Sequence, residues 1–125
     1  MTVPFTAWRL EIIAALDQAR ARLAAGQAAL FDAELTAADS KRELRMLNAA
    51  TEKLGPRISL ASALFNRIHA HRTMLQAADG EVVRARHEIA AAHSLISDLQ
   101  EAVTQIDRMA PAAERETIES ESETT

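Results

Sequence analysis

The sequence predicts an all-α fold, an antiparallel two-helix coiled-coil hairpin. Its helices are expected over about residues 5–54 and 59–109, with a disordered acidic tail beyond them. Three observations predict it. Apolar residues recur in alternating steps of three and four through two long segments. One strong breaker, Gly55-Pro56, separates those segments. The apolar positions of the two segments also complement each other in size when the chain folds at that breaker.

The first helix opens at Pro4, a residue the first helical turn tolerates, with Thr2 or Val3 as the cap. Phe5, Ile12, Ala19, Gly26, Ala33, Ser40, Leu47 and Leu54 then fall at heptad position d. Arg9, Leu16, Leu23, Leu30, Ala37, Leu44 and Thr51 fall at a. A seam sustained this long indicates a coiled coil rather than the apolar face of a globular helix. Gly55 and Pro56 end it, and Ser59 is placed to cap the second helix.

The second helix contains the stretch Ala78-Asp79-Gly80, which by itself reads as a turn. The period decides otherwise. From Ala61, steps of three and four give Leu64, Ile68, His71, Leu75, Ala78, Val82, Ala85, Ile89, Ala92, Ile96, Leu99, Val103 and Ile106. The phase does not slip on either side of Gly80, as it would across a turn. Gly80 therefore lies inside a helix, at an outward f position, at a cost of about 1 kcal/mol relative to Ala.

Folding at residues 55–58 and pairing positions whose numbers sum to 115 brings every a of one helix against a d of the other. The layers become Leu47 with Ile68, Ser40 with Leu75, Ala33 with Val82, Leu30 with Ala85, Gly26 with Ile89, Leu23 with Ala92 and Ala19 with Ile96. Large meets small in nearly every central layer, which permits close packing. Gly26 makes room for Ile89. At flanking positions Arg22 approaches Glu88, Glu43 approaches Arg67, Lys41 approaches Asp79 and Glu34 approaches Arg86. All four pairs are opposite in sign and help to fix the register, although an exposed pair is worth only tenths of a kcal/mol. A helix of about fifty residues is about 75 Å long, so the sequence predicts a rod.

Composition narrows the function classes. Apolar residues make up 48% of the chain, but much of that is alanine, and aromatics are only 3%. Such a chain can bury a narrow seam rather than a thick core. With no cysteine there is no disulfide, thiolate nucleophile or Cys-based zinc site. The lack of a signal-like start and of an apolar run of spanning length predicts a soluble, cytoplasmic protein without membrane insertion. Residues 1–111 hold thirteen Lys/Arg and thirteen Asp/Glu, so the net charge of −4 comes from five Glu and one Arg in residues 112–125. The domain reading is thus a hairpin over 1–111 and a disordered acidic tail over 112–125.

The histidines are the candidates for acid–base or metal chemistry. His69 and His71 point to different sides of a helix, and His87 and His93 diverge as well. His71 lies in the seam opposite Leu44, either as a pH-sensitive position or as a polar residue that specifies register. No HExxH, phosphate loop, catalytic triad or inward carboxylate pair occurs. Neither an enzyme nor a cofactor is expected. Basic residues are balanced by acids along both helices, which argues against nucleic acid.

The candidate partner-binding residues stand outside the seam. Phe31 (b), Leu35 (f) and Val83 (b) fall at similar height on one flank, and Trp8 sits at the open end with Ile13 and Leu95. Exposed apolar residues often have no role, and Trp8 can equally cap the seam, so partner contact and incidental exposure both stand as readings here.

The segment "LFNRIHAHRTMLQAADGEVVRARHEIAAAHSLISDLQEAV", with Phe65, Leu75, Val82, Arg86 and Leu99-Gln100 in their spacing, resembles the central stalk proteins of flagellar and type III secretion export, the FliJ/YscO-like family. That resemblance implies a cytoplasmic, non-catalytic hairpin that inserts into a hexameric export ATPase and contacts the export gate or substrate chaperones. The rivals are a self-assembling scaffold, for example a phage-related one built as a homo-oligomer, a secretion chaperone, and a small inhibitor of a larger enzyme.

Overall fold

The computed structural model describes residues 5–55 and 62–123, with side chains as far as Met109. It is an all-α helical hairpin. Helix α1 spans Phe5–Leu54 and helix α2 spans Ser62–Glu123, and the described residues form no strand. The expected start of the second helix near residue 59 lies outside the described residues. Gly55 ends α1 with φ of 53°, in the left-handed region where glycine carries no Cβ penalty. Lys53 in the last turn complements the negative end of the helix dipole.

Helix α2 passes through Gly80 without interruption, as the unbroken period predicts. At its far end it departs from expectation, continuing through Pro111 to Glu123 instead of ending near 109. Pro111 has no N–H to offer the Asp107 carbonyl, which weakens a helix at that point. The neighbouring Ala112, Ala113, Glu114, Arg115 and Glu116 are among the stronger helix formers, and the backbone propagates across the proline.

Burial follows the predicted frame residue by residue. Every seam position from Leu64 to Ile106 on α2 is buried or half-buried. On α1 the same holds for every a and d position except Arg9, which stays exposed. The most buried apolar residues are six alanines, with Leu16 and Ile68. Larger seam side chains such as Leu23, Leu30, Val82 and Ile89 are only half-buried. A two-helix seam covers a side chain from one direction, so small residues vanish between the backbones while long ones reach past them. Three threonines bond back along their own helix, as in Thr51 Oγ1 donating to the Leu47 carbonyl at 2.8 Å in the last turn of α1.

The contacts gather in two compact units, Met1–Ala24 with Ala90–Thr125, and Ala25–Ile89. In the first, Leu16, Ala19 and Ala92 are buried and Arg9 Nε donates to Asp107 Oδ1 at 2.8 Å. In the second, a Cβ built on Gly26 would lie 3.1 Å from Ile89 Cγ1, and Arg86 Nη2 lies 3.6 Å from Glu34 Oε1. Moving up α1 from 26 to 34 moves down α2 from 89 to 86, so these segments are antiparallel. Gly26 against Ile89 is the pairing that the sum of 115 requires.

Candidate functional site

The second unit, Ala25–Ile89, carries the features on which a function can rest. Its seam follows from the heptad pattern, and that seam turns the b, e and f positions of one flank outward. Phe31 and Leu35 are one helical turn apart on α1 and share a face. They are 66% and 52% exposed, and Val83 of α2 is 55% exposed. Large apolar side chains left this open, when the seam beside them is filled, are not needed for the helix pairing.

Val83 also lines an open recess of about 560 Å³ between the helices of this unit. Ala37, Ala38 and Val82 line it with Val83 and supply its apolar surface. The recess exists because Ala37 and Ala38 are small where longer side chains would fill the flank. Its charged lining is Lys41, Arg42, Arg45 and Arg86 against Glu34 and Asp79, a formal excess of two positive charges. Arg86 turns toward Glu34 at 3.6 Å, as the sequence predicts. Arg42 lies 3.8 Å from Asp39 on its own helix. Lys41 and Asp79, also predicted to approach, line the same recess. Both measured pairs are solvent-exposed and contribute little to stability. Their groups remain available to an incoming partner.

Trp8, the fourth candidate, belongs to the first unit. Its ring packs edge-on against Phe5, with centroids 5.6 Å apart and planes at 85°, and it remains 48% exposed. This pair, three residues apart on α1, is an edge-to-face contact within one helix. Sequence reasoning does not single out Met46, Phe65 and Met74 of the second unit as exposed apolar residues, nor Leu10 of the first. Their off-seam heptad positions are the signal that could find them.

The seam itself holds three polar residues in this unit, the half-buried Thr51 among them. Ser40 is buried at 2% exposure, and His71 is half-buried with its Nδ1 enclosed and without a hydrogen-bond partner. Among the described residues no group of three or more His, Asp or Glu side chains could hold a metal ion. Among them, too, no helix is long and apolar enough to cross a membrane. The exposed guanidinium, ammonium and carboxylate groups around an apolar floor suit recognition of another molecule.

No family model, curated protein or solved structure matches the chain.

Proposed function

We propose that this chain is a non-catalytic coiled-coil interaction protein of the cytoplasm, which docks a protein partner along the flank formed by Phe31, Leu35 and Val83. The observation that carries this reading is the exposure of three large apolar side chains beside a seam that does not need them. Contiguous apolar surface rimmed by charge is characteristic of contact sites. The hairpin supplies a rigid, already ordered presentation, so little conformational entropy is lost at docking.

In its most specific form the partner is a hexameric export ATPase and the hairpin its central stalk. What supports that form is the resemblance of Leu64–Val103 to the export stalk proteins, together with the two-helix architecture. The test is a titration of the purified ATPase hexamer with the wild-type chain and with a Phe31→Ser, Leu35→Gln, Val83→Ser variant. The three changes are expected to leave the melting temperature nearly unchanged and to weaken binding by a few kcal/mol, as loss of a small apolar hot spot does. Equal binding by both chains contradicts docking through this flank. No binding by the wild type contradicts the stalk form.

A further inference from the structure

The lining of the recess beside the apolar flank carries more cations than carboxylates, and the same sequence contains a segment of opposite charge. We propose that the recess lined by Lys41, Arg42, Arg45 and Arg86 binds the acidic segment 112–125 of a second copy of this chain. The inference goes beyond the reading above, because it concerns the cationic recess and needs no export ATPase.

The first step is the chemistry of the recess. Four cations and two carboxylates surround a floor of Ala37, Ala38, Val82 and Val83. Arg86 already leans toward Glu34, and Arg42 toward Asp39, which is outside the lining. Lys41 and Arg45 stand one turn apart on α1, and Asp79 is the remaining carboxylate of the lining. An occupant that suits this site brings several carboxylates.

The second step is the source of such an occupant. Residues 1–111 are balanced, with thirteen basic and thirteen acidic residues, so they offer no excess of negative charge. Residues 112–125 contain Glu114, Glu116, Glu119, Glu121 and Glu123 against Arg115 alone. Apart from two alanines their single aliphatic residue is Ile118, set among those glutamates, and they contain no aromatic residue. Glu116, Glu119 and Glu123 recur at steps of three and four, so the helix that α2 continues gathers them on one face, opposite in charge to the recess.

The third step favours a second copy over the segment's own chain. The backbone of α2 is helical without interruption to Glu123. A chain that folded this segment back onto itself has to break that helix, whereas a second copy receives it as it stands. Exposed ion pairs are individually weak, so the association depends on several acting together and is sensitive to salt.

The experiment is sedimentation equilibrium on the full chain, with far-UV circular dichroism to verify that each variant keeps wild-type helicity. At about 0.05 M salt the wild type is expected to self-associate reversibly, and at about 0.5 M the association should fall at least about tenfold. Lys41→Glu with Arg45→Glu, or Glu119→Lys with Glu123→Lys, which share one face of the helix, should each reduce self-association at low salt by a similar factor. An equimolar mixture of the two variants should associate again, because each reversed recess then meets a reversed segment and each native recess a native one. A wild type that is monomeric at low salt overturns the proposal. So does self-association that neither variant weakens, or variants that fail to recover on mixing. A Phe31→Ser, Leu35→Gln variant leaves every residue of the recess lining in place, so failure of the apolar docking reading and failure of this one are separately visible.

Discussion

Gly26 shows how much one residue decides. A methyl group placed on it would sit 3.1 Å from Ile89 Cγ1, tighter than ordinary van der Waals contact. The absent side chain is what lets α1 and α2 approach at that layer, and Ile89 fills the gap. Gly26→Leu is expected to overpack the seam and lower stability by about 1–3 kcal/mol, measured by thermal or urea denaturation. A variant as stable as wild type means that the two helices do not meet there. His71 has a different kind of importance. Among the described residues its enclosed Nδ1 has no hydrogen-bond partner. A polar residue in a seam specifies register, since a slipped pairing places it elsewhere. The heptad frame puts Arg9 at an inner position, yet its guanidinium is outside, bonded to Asp107. Periodicity locates a Cα and says little about where a long, flexible cation directs its end.

At the scale of the element, the two helices are legible because a long period is a strong signal. A single turn dipeptide at Asp79-Gly80 cannot outweigh a seam that keeps its phase from Leu64 to Ile106. Gly80 has open space where a Cβ would stand, and its backbone is helical. Gly80→Ala is therefore expected to raise stability by about 1 kcal/mol through helix propensity alone, read from the same denaturation curves. A destabilised Gly80→Ala chain would indicate a turn or a packed backbone at that point. The end of α2 is less legible. Composition rich in Glu, Ser and Thr argues for disorder over 112–125, but Ala112 to Glu116 also favour helix. In that segment polarity and propensity point in opposite directions, and the backbone follows propensity to Glu123. The recess is not legible either. In the sequence its charges pair off as opposites, and a net excess emerges only when α1 brings Arg42 and Arg45 beside them.

At the scale of the whole molecule, a single pairing of α1 with α2 determines which residues are hidden and which are offered to partners. Slipping that pairing by a heptad would shift Val83 along the flank relative to Phe31 and Leu35 and would carry Arg86, Asp79 and Val82 away from Lys41, Arg42 and Arg45. The exposed flank, the proposed partner docking and the proposed exchange of acidic segments all depend on the register in which positions sum to 115. The chain has no cysteine, so an introduced pair reports on that register without background. The most direct measurement is oxidative cross-linking of Gly26→Cys with Ile89→Cys, beside the heptad-shifted pairs Gly26→Cys with Val82→Cys and Gly26→Cys with Ile96→Cys. Disulfides need Cβ atoms about 3.5–4.5 Å apart, so at high dilution only the first pair should close within one chain. Closure of either shifted pair in place of the first would contradict the register and, with it, the functional surface built on it.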